Sequence, residues 1–248
     1  MRHRVVLFDL FDTLVLFERA RMPELQINGR TVRSTAGHLH QVFQPFAPGV
    51  ELGAFFEALI GSWKEAERIR ETTHREVSAP ERFDMVYRRL GLEPSMVPPE
   101  ALEMLLSTHM RELSKAVVCP SHHAAVLTAL RKGRRLGVVS NFDYTPTARH
   151  ILEREGLSAL FETVIVSDEV GWRKPKAVIF ETALRRLDVG PEEALFVGDR
   201  ADIDVAGAQA VGMATAWINR DGAALPEGAT VPDFEIRDLK ELEAILGD

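Results

Sequence analysis

Four consecutive apolar residues, Val5 to Phe8, run straight into an aspartate, Asp9. The run is too short for a helix and suits a strand buried on both faces, the kind found inside a parallel sheet. A carboxylate at the C-terminal end of such a strand stands where open α/β sheets bind their ligands. Held there, it can serve as a nucleophile, a metal ligand or both. Asp12, Thr13 and Leu14 then turn the chain, and aspartate tolerates the backbone angles of a tight turn.

The rest of the chain divides by pattern. Residues 16–117 read mainly as helix. Asn28-Gly29, flanked by residues 24–27 and 30–32, predicts a short hairpin first. Helices are expected over 34–43, 52–70, from Pro80 to Gly91, and from Pro99 onward. The second of these rests on Leu52, Phe55, Phe56, Leu59, Ile60 and Trp63 as one apolar stripe. The hairpin is expected to shape a site entrance, to join a dimer contact or to lie plainly on the surface. From Pro120 the chain alternates. Strands are expected at 135–139, 162–166, 194–197 and 214–218. Helices are expected over 122–132, 146–155, 175–187 and 202–211, with a last one at 239–246. Strand and helix in alternation predict a Rossmann-like parallel sheet with helices on both faces. The expected domains are an α/β core of residues 1–15 and 118–248 and an inserted helical cap of residues 16–117. Right-handed crossovers put all strand C-termini on one edge, which gathers Asp9, Ser140, Asp168 and Asp199.

Composition narrows the function classes. A net charge of −7 argues against a nucleic-acid backbone binder. No apolar run reaches the ~18 residues of a membrane helix, so no membrane partner is expected. Cys119 is the single cysteine; no internal disulfide can form within one chain, and a reducing, cytoplasmic setting is expected. Its apolar neighbours mark it as structural. His122 and His123 show no third ligand at metal spacing and are expected on the surface at a helix start. A monomer or a homodimer fits equally well.

Four segments in order then resemble the haloacid dehalogenase superfamily of hydrolases. They are Asp9 with Thr13; Val138 to Phe142, a strand ending in serine; Lys174-Pro175; and Gly198 to Asp204, the sequence GDRADID. The resemblance covers the chain at residues 5–14 and 120–218. It implies a Rossmann-like core with a helical cap, and Asp9 as the nucleophile. Lys174 is implied as the cation for Asp9 and the phosphoryl group, with Ser140 and the Asn141 backbone as phosphate donors. Magnesium is the implied cofactor, held by Asp9, Asp199 and the Phe11 backbone carbonyl. Asp204 is implied as a ligand directly or through water, and Asp202 as a neighbour just behind them. A small phosphorylated metabolite is the implied substrate.

One position departs from the family pattern. Where most phosphatases of this superfamily carry a second aspartate, two residues after the nucleophile, this chain has Phe11. Phenylalanine cannot move a proton. Asp12, one residue on, is expected to face the other way in an extended segment. Three readings therefore stand: a magnesium-dependent phosphatase with weakened acid–base catalysis, a metal-free 2-haloacid dehalogenase, and a fold that binds a phosphorylated ligand or a partner without turnover. The acidic cluster Asp199, Asp202 and Asp204 favours the first, because neighbouring carboxylates need a cation.

Overall fold

The structure is a computed structural model that describes residues 3–247. Two compact units emerge. One joins Met1–Leu16 to Cys119–Asp248; the other is Phe17–Val118.

The first unit is built on a six-stranded sheet. Its spatial order is Phe234–Ile236, Ala214–Ile218, Ala194–Gly198, Val5–Phe8, Arg135–Ser140, Thr163–Val166, and all neighbours run parallel. Val5, Val6, Leu7 and Phe8 are each 0% exposed. Successive side chains of a strand point to opposite faces, so this strand is covered on both. One face packs Val5, Leu7, Val139, Ile165 and Phe196 against Ile179, Phe180, Ala183 and Leu187 of helix Ala177–Leu187. Phe180 and Phe196 meet edge to face, with centroids 5.1 Å apart.

The strand order explains where a site can form. From Val5–Phe8 the chain moves outward through Arg135–Ser140 and Thr163–Val166. It then returns to the other side of the first strand with Ala194–Gly198. Crossovers diverge at such a switch point and leave a crevice at the C-terminal strand ends. Phe8 pairs with Val197, and the Asp9 N–H donates to the Val197 carbonyl at 2.9 Å. Asp9 and Asp199 therefore leave neighbouring strands at that crevice.

Three features of this unit depart from the sequence reading. Phe234–Ile236 adds an edge strand between the strand expected at 214–218 and the helix expected at 239–246, where neither element is expected. The helix expected over 202–211 begins instead as a π-helical turn, Ala201–Val205, and becomes α-helical only at Ala206–Ala210. The last helix begins as a 3-10 turn, Leu239–Glu241, capped by Asp238.

The second unit contains the hairpin Glu24–Ile27 and Arg30–Arg33 with Asn28-Gly29 at its turn. Its helices are Ala36–Phe43, Leu52–Thr73, Ala79–Arg89 and Pro99–Lys115. Pro99 opens the last of them. Ser78 caps the third by accepting the Glu81 N–H. Phe43 stacks on Tyr87 at 5.7 Å and packs against Phe55 at 5.6 Å. The expected apolar stripe of Leu52–Thr73 is rotated. Phe55, Ala58, Leu59, Ser62, Ala66 and Arg70 face the core, while Trp63 is 51% exposed. Arg70 is held on this buried face: its Nε donates to Glu76 Oε1 at 3.0 Å and its Nη2 to the Val77 carbonyl at 2.8 Å. Among the described residues no helix is long and apolar enough to cross a membrane.

Candidate active site

Asp9 ends the central strand, and the Leu10 N–H donates to its Oδ1 at 2.7 Å. Asp12 then takes a left-handed backbone with φ of 54°, which makes it the turn residue the sequence suggests. Lys174 comes from the segment before helix Ala177–Leu187. Its Nζ lies 2.8 Å from Asp9 Oδ1 and 2.8 Å from Asp204 Oδ1. Carboxylate oxygens of Asp9, Asp199 and Asp204 all lie within 4.8 Å of one another.

The π-helical turn positions Asp204. The Arg200 carbonyl accepts both the Asp204 N–H at 2.7 Å and the Val205 N–H at 3.3 Å, and Asp204 Oδ2 accepts the Arg200 N–H at 3.0 Å. Such turns occur often at functional sites, where they re-aim a side chain. Gly198 leaves the room required: a Cβ there would lie 2.3 Å from Asp204 Oδ2. Asp202, on the same turn, points away. It pairs with Arg200 at 2.7 Å in solvent, and its side chain is 64% exposed. The sequence reading that put it just behind the ligands is corrected: one turn of helix cannot aim both acids at one point.

The electrostatics follow from burial. Burial pushes Asp199 up to about 7, and the charges of Asp9 and Asp204 add to it while Lys174 opposes. Burial likewise takes Asp204 to about 6, against the pull of Lys174. Burial disfavours the Lys174 ammonium, but Asp204 and Asp9 outweigh that and hold its pKa above the ordinary lysine value. Three carboxylates facing one ammonium leave an excess of negative charge. The donor set is all oxygen, which suits a hard divalent cation.

Ser140 ends its strand fully buried, and its Oγ has no hydrogen-bond partner among the described residues. A buried hydroxyl without a partner is costly, and a phosphoryl oxygen would satisfy it. Asn141 does something the sequence reading missed. Its Nδ2 donates to the Lys174 carbonyl at 3.0 Å, and its Oδ1 accepts the Lys174 N–H at 2.8 Å. The side chain thus fixes the backbone that carries the lysine. Asp168, also at a strand end, instead accepts the Thr145 N–H at 2.9 Å and holds the start of the helix Thr145–Arg154.

Two further residues were not foreseen. Trp217 Nε1 donates to the Asp199 carbonyl at 2.8 Å, and Arg220 Nη2 donates to the Thr13 carbonyl at 2.9 Å. Both pin the main chain behind the acids. Thr13 Oγ1 lies 3.4 Å from Asp199 Oδ1. Phe11 packs on Phe142, the residue after Asn141, with ring centroids 4.9 Å apart.

The histidine reading is also corrected. His123 is 1% exposed rather than on the surface, and Asp238 is brought within ligand distance of His122 and His123 by the fold. Cys119 is structural as expected: burial pushes its thiol up to about 11, with Glu155 adding to the shift.

Comparison with known proteins identifies the family and the fold. Residues 3–212 match the family model described as haloacid dehalogenase-like hydrolase. The chain is 29% identical over 242 residues to a glyceraldehyde 3-phosphate phosphatase of Methanopyrus kandleri, covering 96% of this chain and 95% of that one. Among solved structures it is similar to a 2-haloacid dehalogenase of Pseudomonas syringae, with a TM-score of 0.70, 26% identity and 98% coverage of each chain. It is also similar to a phosphatase of Thermococcus onnurineus, with a TM-score of 0.64, 27% identity and 98% coverage of each.

Proposed function

Given that this chain belongs to the haloacid dehalogenase-like hydrolases, we propose that it is a magnesium-dependent phosphatase of small phosphorylated metabolites working through an aspartyl-phosphate at Asp9. One observation carries the reading: Asp9 is gathered with Asp199, Asp204 and buried Lys174 at the switch point of the sheet. Magnesium fits this donor set. Asp9, Asp199, Asp204 and the Phe11 carbonyl would hold it, and it would offset the repulsion between a carboxylate nucleophile and a phosphate ester.

The chain's own residues supply the rest. Asp9 Oδ attacks phosphorus, and the bond to the leaving oxygen breaks. Lys174 orients Asp9 and neutralises charge on the transferring group. Ser140 Oγ and the Asn141 N–H donate to the phosphoryl oxygens. Asn141, through its side chain, keeps Lys174 in place. Water then attacks the phosphorus of the acyl phosphate, the P–O bond to Asp9 breaks, and inorganic phosphate leaves with the Asp9 carboxylate regenerated. Phe11 offers no proton to the leaving oxygen, and this sets the kinetics expected of the enzyme.

The helical unit Phe17–Val118 comes after the nucleophile loop in sequence, and we assign it the role of a cap that governs substrate choice and water exclusion. Hydrogen exchange with and without vanadate, a phosphate mimic, tests this. Slower exchange within both units on binding supports a cap, and unchanged exchange throughout residues 17–118 argues against it.

The likeness to a dehalogenase, together with an aromatic residue at position 11, favours a second reading: halide displacement without metal. A single assay separates the two. With p-nitrophenyl phosphate, activity should vanish in chelator, return with magnesium and be absent from Asp9→Asn. Full activity in chelator, with halide released from a 2-haloacid, overturns the phosphatase. Binding of phosphate esters with no Asp9-dependent turnover would leave a binding protein.

A further inference from the structure

A second group of metal-type donors lies in the α/β unit, apart from the acidic cluster. His122 and His123 stand at the start of the helix His123–Leu130, and Asp238 caps the turn Leu239–Glu241. One ligand atom of each lies within 4.8 Å of the others. The fold, not the sequence, brings them together, since Asp238 is 116 residues beyond His122.

The hydrogen bonds decide which atoms are available. His123 Nδ1 lies 2.8 Å from the Leu14 carbonyl, and a carbonyl only accepts. Nδ1 therefore carries the proton, and Nε2 keeps its lone pair. This imidazole is 1% exposed, and its Nε2 has no hydrogen-bond partner among the described residues. Burial, first, and the neighbouring His122 and Arg220 charges hold its pKa below the ordinary value, against the Leu14 bond and Asp238, so it is neutral at pH 7. An N–H donated to a backbone carbonyl is how ligating histidines are commonly oriented. His122 Nε2 lies 3.0 Å and 2.9 Å from the two oxygens of Asp238, and the two imidazole rings are perpendicular with centroids 4.7 Å apart. Asp238 Oδ1 also accepts the Lys240 N–H at 2.9 Å and retains a further lone pair. Arg220, held by the Thr13 carbonyl, is the opposing positive charge.

We propose that His122, His123 and Asp238 form a second metal site, selective for a borderline divalent cation such as zinc over magnesium. Two imidazoles and one carboxylate are a zinc-type donor set, with solvent completing the shell. Zinc at ~2.0–2.2 Å from each donor asks for donors about 3.4 Å apart; His122 Nε2 and the Asp238 oxygens, at 2.9–3.0 Å, would open slightly, and all three donors already lie within 4.8 Å. Binding calls for the His122 tautomer with its proton on Nδ1, which frees the Nε2 lone pair. The bound ion ties helix His123–Leu130 to the capped turn. Through His123 Nδ1 it also ties both to Leu14, five residues beyond Asp9.

The test is a cobalt titration of the intact protein in saturating magnesium, read by visible absorption, with copper-loaded protein read by electron paramagnetic resonance. The expected result is one cobalt per chain that magnesium does not displace, and nitrogen hyperfine coupling from two imidazoles. His122→Ala and Asp238→Asn should each weaken cobalt by at least ~10-fold, while Asp199→Asn leaves it unchanged. Asparagine keeps the cap of the turn, so Asp238→Asn tests the ligand rather than the fold. Circular dichroism and cooperative thermal melts show that both variants are folded. Cobalt that magnesium displaces, an all-oxygen spectrum, or unchanged affinity in both folded variants overturns the site. None of these outcomes depends on the phosphatase reading.

Discussion

Lys174 Nζ lies 2.8 Å from Asp204 Oδ1, and neither side chain is more than 1% exposed. A buried ion pair is a weak source of net stability, but removing one partner strands a charge. Here it would strand more than one, because Asp9 leans on the same ammonium. Lys174→Met should therefore destabilise the chelated protein by about 3–5 kcal/mol. It should also lose nearly all turnover. Magnesium should restore part of the stability, since a cation replaces the missing charge. Denaturant titrations with and without magnesium measure this; equal stability of variant and parent in chelator would refute it.

The acids predict how stability responds to pH and to metal removal. Asp199 and Asp204 have pKa values raised from 3.8 to about 7 and about 6. An acid with a raised native pKa binds its proton more tightly in the folded state. Its contribution is complete below about pH 4 and is lost as pH rises through about 6 to 7. The chelated protein should thus lose melting temperature across that window. Magnesium binds the ionised acids, so the gap between loaded and chelated protein should widen over the same window. Thermal melts in the two conditions from pH 4.5 to 8 check it, and a gap independent of pH would contradict the assignment of these groups as ligands.

Gly198 offers a steric test. Its Cβ in Gly198→Ala would sit 2.3 Å from Asp204 Oδ2 and 2.5 Å from Asp204 Cβ. Asp204 must move, and with it the π-helical turn. The variant should fold with reduced stability and bind magnesium at least ~10-fold more weakly, by analogy with the loss of groups that orient ligands. Calorimetric magnesium titration would show it, and unchanged affinity would mean that Asp204 plays no part in metal binding.

Much of this site is legible in the sequence because its residues sit at strand ends, and the strands announce themselves. Val5–Phe8, Arg135–Ser140 and Ala194–Gly198 are apolar because both faces are covered, so Asp9, Ser140 and Asp199 are placed by reading where each run stops. Residues in the turn beyond a strand end are harder to place. Asp202 and Asp204 look equivalent by spacing. Only the doubled acceptance at the Arg200 carbonyl turns one inward and leaves the other with Arg200 in water. Tertiary partners are harder still. Nothing local marks Asn141 as the clamp of Lys174 or Trp217 as the anchor of Asp199, because each bond joins strands or loops far apart in the chain. The same reason hid Asp238 from His122. Phe234–Ile236 is not legible because three residues carry too little period to stand out beside a stretch rich in glycine and proline.

Phe11 carries the last prediction. Its ring packs on Phe142 at 4.9 Å, where a family member with a second aspartate would offer a proton. Without that acid the leaving oxygen departs as an anion or takes its proton from water. Lost general acid–base catalysis lowers rates by ~10²–10⁴, about 3–5 kcal/mol in barrier. The loss should be small for aryl and acyl phosphates, whose leaving groups are stable anions, and large for sugar and other alkyl phosphates. The rate should therefore depend steeply on leaving-group pKa wherever attack on phosphorus limits. Hydrolysis of the Asp9 acyl phosphate should slow as well, because no residue at position 11 activates the water. Rapid mixing with an aryl phosphate should then show a burst of phenolate. Phe11→Asp should flatten the first dependence and shrink the burst. It also gives up the ring contact with Phe142, so its stability is to be measured alongside and its kinetics compared with Phe11→Ala, which removes the ring without adding an acid. Similar rates for alkyl and aryl phosphates in the parent enzyme, both limited by phosphoryl transfer, would mean that another group supplies the proton. Asp12, next in the chain, would be the first to replace with asparagine.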